Sequence, residues 1–378
     1  MSDTNVNEVR MPNPQELIVS SSPHIHSKQG EIWKIMLWVL IALMPAAFAG
    51  VWFFGLNALK VMVFCVVFSV GFEMIWCKIE GKPLGTVKDL SAIVTGLLLA
   101  MNLSAGVPWW ICLIGAFIAI GLGKQVFGGL GSNPFNPALV ARVALLVAFP
   151  KLMTSWIPTR QMLENPNCEL FSNTAMQAIR LGKFDGITCA TPLGWAREAK
   201  AVVQTTDMSA LEVGIQKFFP VANGDALWNA FIGNIGGCLG ETSALALLIG
   251  GILLISLKII KWQVPLSFIG TVAIFTGIVN YFAPTVTPEA LFHVLTGGLF
   301  LGAFFMATDM VTSPMTTKGA VIFGVGCGLI TCLIRIWGGY PEGVSFSILI
   351  MNALVPLIDR FAKKIPFGYK AIEKGEAI

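Results

Sequence analysis

Apolar runs of about 20 residues, separated by short polar stretches, recur along most of this chain. That is the length a hydrocarbon core of ~30 Å demands of a helix. The pattern predicts ten spans, at 33–54, 58–78, 90–104, 108–127, 137–150, 241–260, 264–283, 289–308, 319–337 and 343–359. The third and fifth are short for a full crossing and are expected to be tilted or broken. The period-two alternation of a membrane barrel is absent, so the fold class is an all-α polytopic membrane protein. The polar stretch at 1–32 has no apolar core and does not read as a cleavable signal.

Five spans precede the one long polar segment, 151–225, and five follow it. The chain therefore divides into an N-terminal segment (1–32), a first transmembrane half (33–150), an external loop (151–225), a second half (226–360) and a tail (361–378). An odd number of crossings per half sends the second half into the membrane upside-down, as in inverted-repeat transporters. This inference rests on counting, since the halves share no residue-level similarity. Two breaks interrupt the apolar pattern. One runs from Gly128 to Pro137, the other from Ala307 to Pro314. In each, Gly or Pro ends a helix and Asn or Ser is available to cap the next. Such breaks either frame a substrate or ion site or are ordinary interfacial turns.

Composition agrees. Hydrophobic residues make up 55% of the chain and charged residues 12%, against about a quarter charged in soluble domains. Lys and Arg fix the orientation. With the N-terminus inside, Arg10, Lys28, Lys34, Lys78, Lys82, Lys88, Lys124, Lys258, Lys261, Lys318 and Arg360 onward fall on the cytoplasmic side. The short outer loops keep little beyond Lys60 and Arg335. The formal net charge of +4 thus reports membrane topology and lipid contact, not nucleic-acid binding. The expected location is the cytoplasmic (inner) membrane, with both termini inside and the long loop outside. Eight cysteines contain no C-x-x-C pair, which leaves no self-contained iron–sulfur or zinc site. Cys168 and Cys189 share the outer loop and are a candidate disulfide.

The loop carries the densest chemistry, Asp185-Gly-Ile-Thr-Cys-Ala-Thr191, followed by Pro192. Thr191 is expected at an N-cap, with Pro192 at the first helical position. A phosphate on the Thr191 hydroxyl would then lie at a helix N-terminus, which favours an anion. Arg180, Lys183 and Arg197 are close in sequence and offset further charge. The plainer reading makes Thr191 a cap and nothing more.

Asp185, Thr188, Ala190 and Thr191 together resemble the motif recognised by periplasmic flavin transferases, which move FMN from FAD onto the last Thr or Ser. Cys189 stands where that motif usually has Gly. Ser22-Pro23-His24-Ile25-His26-Ser27, Lys124-Gln125-Val126-Phe127-Gly128-Gly129, Asn136 to Arg142, Gly240-Glu241, Phe305 to Asp309 and Tyr340-Pro341-Glu342-Gly343 resemble the D subunits of Rnf electron-transport complexes. They also resemble the homologous B subunits of sodium-pumping NADH:quinone oxidoreductases, which carry longer N-terminal extensions. The resemblance covers 22–365. It implies ten helices of urea-transporter-like architecture and FMN esterified to Thr191. It further implies a role relaying electrons, with partner subunits, in an ion-translocating ferredoxin:NAD oxidoreductase that moves sodium ions or protons. By analogy it leaves room for a second, non-covalent flavin.

Charges inside spans are functional candidates by default. Glu73, Lys124, Arg142, Glu241, Asp309 and Arg335 each stand between ion path and structural pairing. Asp309, beside a break, is the preferred ion contact, with Glu73 as a second. Glu241 is expected to open a span N-terminus, and His293 to be a satisfied interior histidine. The rival reading is a cofactor-free solute channel or carrier, which would have no use for the Asp185–Thr191 motif.

Overall fold

The computed structural model describes residues 32–81, 84–160, 191–194, 196–197, 226–284, 286–340 and 342–362. The described residues are organised as helices: α1 (Ile32–Phe54), α2 (Leu56–Ile79), α3 (Ser91–Met101), α4 (Trp109–Phe117, prolonged by a π turn), α5 (Pro137–Ala148), α6 (Ala226–Ile232), α7 (Ala244–Ser256), α8 (Gln263–Phe282), α9 (Ala290–Leu295), α10 (Leu299–Leu301, prolonged by a π turn), α11 (Thr317–Trp337) and α12 (Val344–Phe361). Among them, six segments are long and apolar enough to cross a membrane: α1, α2, Trp109–Phe127, α8, α11 and α12. The protein is a polytopic α-helical membrane protein.

The remaining spans of the sequence reading are shorter. α3 has 11 residues and at 1.5 Å per residue covers about half of the hydrocarbon core. α5 and α7 have 12 and 13 residues. The stretch 289–308 is cut into two pieces, parted at Thr296–Gly298. Backbone leaving a helix at membrane depth must be buried in protein and hydrogen-bonded there.

That requirement explains how the two halves meet. The chain unwinds after α3 at 102–107 and again at 233–243, between α6 and α7. The two unwound segments bond to each other. Leu239 N donates to Leu103 O at 3.0 Å and Gly240 N to Met101 O at 2.7 Å. Cys238 Sγ donates to Asn102 O at 3.3 Å. Gly240 is required by this approach, because a Cβ there would lie 2.9 Å from both Met101 Cβ and Met101 O.

Small residues set the other close contacts, as between membrane helices generally. Gly250 of α7 packs on the backbone of Ala42 in α1. Gly324 and Gly328, one turn apart on α11, pack on Ser267 and Thr271 of α8. Within the first half α2 packs on α3 and α4. Within the second, α8 packs on α9 and α11. The order of packing partners thus repeats between the halves.

A buried ion pair ties α2 to the far end of α4. Lys124 Nζ donates to Glu73 Oε1 at 2.6 Å and to Ser91 Oγ at 2.7 Å. Ser91 Oγ in turn donates to Asp89 Oδ1 at 2.6 Å. Both charged side chains are sealed, at 2% and 3% exposure.

Two outcomes follow from this packing. Gly240→Ala forces the crossing segments apart and is expected to cost about 1–3 kcal/mol, read as a lowered thermal midpoint of the detergent-solubilised chain. Lys124→Met leaves the Glu73 carboxylate buried without its partner and is expected to cost about 3–5 kcal/mol. The double variant Glu73→Met/Lys124→Met should recover most of that loss in the same melting assay.

Candidate functional site

Two polar clusters lie at opposite ends of the helices, one beside the long loop and one at the end that the breaks 128–136 and 307–316 share. On the loop side, Thr191 occupies an N-cap. Gly194 N donates to its Oγ1 at 3.2 Å, and residues 192–194 are helical. The cap and the proline position match the sequence expectation. The exposure does not. A displayed hydroxyl is what the loop pattern implies, yet Thr191 is 3% exposed, because residues 191–194 pack down between two glycine turns. The methyl of Thr191 faces Gly237, and the Leu193 side chain presses on Gly297. Asp185, Thr188, Ala190, Arg180, Lys183, Cys168 and Cys189 lie outside the described residues.

Beneath Thr191 the unwound segment 233–243 turns its polar side chains inward. Cys238 Sγ and the carboxylates of Glu241 and Glu342 lie within 4.8 Å of one another. Arg142, from α5, reaches in from the first half. Its Nη2 donates to Glu342 Oε2 at 3.1 Å and to Cys238 Sγ at 3.5 Å. Its guanidinium carbon stands 5.7 Å from the Trp156 ring centroid. Arg335 donates through Nη1 and Nη2 to the carbonyls of His293 (2.7 Å) and Thr296 (3.2 Å), at the frayed end of α9.

Polar satisfaction is incomplete here. Arg142 Nη1, Arg335 Nε, Glu342 Oε1 and His293 Nδ1 are buried without a hydrogen-bond partner. A buried unpaired donor or acceptor costs about 1–3 kcal/mol, and such groups gather where a ligand or water completes the set.

Two expectations are corrected on this side. The span that Glu241 was expected to open begins three residues later, at Ala244. Ser243 caps α7, accepting from Ala246 N at 3.2 Å, while Glu241 sits in the unwound turn and accepts from Cys238 N at 3.4 Å. His293 is satisfied at Nε2, 2.7 Å from Thr287 Oγ1, and unsatisfied at Nδ1. The sequence reading also missed Glu342 as a partner of Arg142. Its signal was there, an acidic residue in the short polar stretch between the last two predicted spans.

At the other end, the two breaks jointly wall a cavity of about 270 Å³. Its walls are mostly apolar, with polar groups from Ser91, Thr95, Lys124, Asn133, Asn136 and Asp309. Asn136 caps α5, its side chain accepting from Ala138 N at 3.1 Å, and its amide donates to Met306 O at 3.3 Å. The second break departs from expectation, since Thr316 rather than Ser313 caps α11. Ser313 is followed by Pro314 and instead closes a turn onto Asp309 O. Asp309 lines the cavity and accepts from Thr312 Oγ1 at 3.3 Å. Glu73 lies behind the wall, with Oε1 held by Lys124 and Oε2 unpartnered. The structure brings Lys124 and Asp309 to one cavity. It puts Thr191 at the other end, with Arg142 and Glu241.

The comparisons with known proteins cover the same stretch as these two halves. A model of the NQR2, RnfD, RnfE family matches residues 18–368. The D subunit of the Na(+)-translocating ferredoxin:NAD(+) oxidoreductase complex of Acetobacterium woodii is 43% identical over 366 residues, 96% of this chain and 98% of that protein. The D subunit of the proton-translocating ferredoxin:NAD(+) oxidoreductase complex of Clostridium ljungdahlii is 42% identical over 352 residues, 93% of this chain and 96% of that protein. The D subunit of the ion-translocating oxidoreductase complex of Stutzerimonas stutzeri is 41% identical over 343 residues, 89% and 92% of the two chains. With both halves and both polar clusters inside the matched region, the chain belongs to the NQR2, RnfD, RnfE family.

Proposed function

We propose that this chain is the D subunit of an Rnf-type complex of the cytoplasmic membrane. In that complex it relays electrons through FMN esterified to Thr191 and contributes to ion transport. Relatives at 41–43% identity over most of their length carry that type of complex in their names. The partners it requires are the other subunits of such a complex, a transferase for the flavin on the loop side, and lipid. The ten-crossing, inverted-repeat architecture of urea-transporter type belongs to the same reading. The repeated order of packing partners supports it.

The observation that carries the flavin reading is the seat beneath Thr191. The hydroxyl begins a helix. Glycines at 237, 297 and 298 let Glu241, Arg335 and Leu193 close in around it, where a Cβ would collide with or crowd them. A buried guanidinium N–H beside Trp156 lacks a partner. These residues fit a tethered group with a negatively charged phosphate and a flat ring. Thr191 would carry the phosphoester, Trp156 would cover the ring from the protein side, and Arg142 would supply positive charge. Bound there, the flavin supplies electron transfer that no side chain of this chain provides. Covalency keeps it from dilution on the outer face. Because Thr191 is buried, esterification has to precede the packing of 191–194 onto Gly297, or to displace it.

The opposite cavity deepens the reading. Apolar walls with few convergent polar groups suit a flat organic ring, which supports this cavity as the proposed site of a second, non-covalent flavin. Asp309 at its edge is the proposed contact for the coupling cation. The relatives' names differ on that ion, sodium in one and protons in another, so family membership alone does not choose it. Glu73 is held in an ion pair and is a weaker ion-path candidate than Asp309.

Two measurements test these assignments. The chain, produced with a flavin transferase and run on a denaturing gel, is expected to give a fluorescent band under ultraviolet light, absent in Thr191→Ala. Intact mass should fall by one FMN in that variant. A dark wild-type band would favour the solute carrier. In the assembled complex, Asp309→Asn is expected to raise the half-saturating concentration of the coupling cation about tenfold, the loss of about 1.4 kcal/mol of binding, with electron transfer at saturating cation retained.

A further inference from the structure

We infer that Arg142 is the positioning residue of the loop-side flavin: its unpartnered Nη1–H donates to the ring end of the group tethered at Thr191 and sets its reduction potential. The inference rests on the flavin assignment above and deepens it: there Arg142 only supplies positive charge, here it contacts the ring and sets its potential.

Three observations converge. First, Arg142 is 3% exposed, yet only Nη2 is bonded, to Glu342 and Cys238. Nη1 has no partner. A guanidinium costs several kcal/mol to bury and offsets this only when its donors are used. Second, the polar neighbours are arranged in series from Thr191 inward: Gly237 against the Thr191 methyl, then Glu241, then Cys238, then Arg142. A phosphoester is fixed at the Thr191 oxygen itself, so the part of the ligand that extends toward Arg142 is its far end, the ring. Third, Trp156 packs beside the same guanidinium, an aromatic wall suited to a flat partner.

The charges facing this site come from four elements. Arg142 is on α5, Glu241 on the 233–243 turn, Glu342 on the turn before α12, and Arg335 on α11. The two carboxylates and two guanidiniums cancel formally, so the net field at the ring is set by proximity. Each electron added to a flavin adds negative charge, and a fixed cation beside it favours the reduced form. Removing Arg142 and Glu342 together takes away one charge of each sign, so what is lost is the excess of the nearer charge over the farther one, expected to be roughly a tenfold change in the reduced-to-oxidised ratio, or about 1.4 kcal/mol.

The test is a redox titration of the covalent flavin in the full-length chain, produced with the transferase and reconstituted in lipid nanodiscs. Arg142→Gln/Glu342→Gln removes the pair together, so that no lone charge remains buried. Arg142→Lys keeps the charge. The double variant is expected to shift the reduced-to-oxidised ratio at fixed ambient potential about tenfold toward oxidised, equivalent to 59 mV for a one-electron couple. Arg142→Lys should stay within about threefold of wild type. Fluorescent bands of equal strength with an unmoved potential in the double variant would overturn the role of Arg142 and leave the flavin assignment standing. A dark wild-type band would remove both. If Arg142→Gln/Glu342→Gln does not fold, Arg142→Lys decides through the absorption spectrum. A perturbed flavin band in that variant supports contact with the ring, and an unchanged band overturns it.

Discussion

The structure depends on one constraint, that backbone polar groups in a membrane must find partners within the protein. Helices satisfy it by themselves. This chain abandons helix inside its core at 102–107 and at 233–243, and each interruption is satisfied by pairing with the other. Leu239 and Gly240 donate to Leu103 and Met101, as adjacent strands would. The loop-side chemistry is placed by that junction. The turn that supplies Leu239 and Gly240 also supplies Cys238 and Glu241. The same crossing leaves Asn102 3.8 Å from the Met306 sulfur, at the head of the break that leads to Asp309. One short pairing therefore positions the loop-side cluster and reaches toward the opposite cavity.

The two buried ion pairs play different parts. Lys124–Glu73 is closed off: its ammonium has Glu73 and Ser91 as acceptors, and Ser91 is anchored by Asp89. Such pairs contribute little net stability against apolar replacements, and their value lies in the arrangement they enforce. Here the arrangement is the N-terminus of α3 beside the end of α4, which builds one wall of the cavity. Each pair leaves one carboxylate oxygen unused, Glu73 Oε2 and Glu342 Oε1, but only the second also leaves a cationic nitrogen, Arg142 Nη1, without a partner. That spare donor separates the two pairs better than burial does, since both arginine and lysine are sealed from solvent.

Legibility followed sequence distance. α1, α2, α8, α11 and α12 were readable because each is an unbroken apolar run whose satisfaction is local. The N-cap at Thr191 was readable because Thr-Pro is a local signal, confirmed by the bond from Gly194. Asn136 was readable for the same reason. The loop-side interruptions were not. Asn102 to Pro108 and Gly236 to Gly240 carry turn residues, but their role exists only through each other, across a separation of 136 positions. The burial of Thr191 was missed on the same ground, because the glycine turns that receive it, at 237 and 297, lie far along the chain. Glu342 was seen as part of a family-like segment and not as the partner of Arg142, 200 positions away. The Ser313 cap failed for a local reason, since the proline after it diverts the turn before α11 begins.

The proposed attachment at a buried Thr191 is compatible with the demands on an electron carrier. Such a carrier must neither diffuse away nor reorient between partners. A hydroxyl on a mobile loop tip would satisfy only the first demand, because a tether limits distance and not direction. Thr191 is held at a helix start whose next turn is clamped by Leu193 on Gly297 and by Arg197 on the Gly339 carbonyl. Both clamps belong to the second half of the chain, and Arg142 comes from the first. A group esterified at Thr191 and directed at Arg142 would therefore bridge the two halves. Any relative shift of those halves would change the charge the group experiences. Under the proposed function, that would be the direct physical route from a conformational change at the ion path to the potential of an electron carrier.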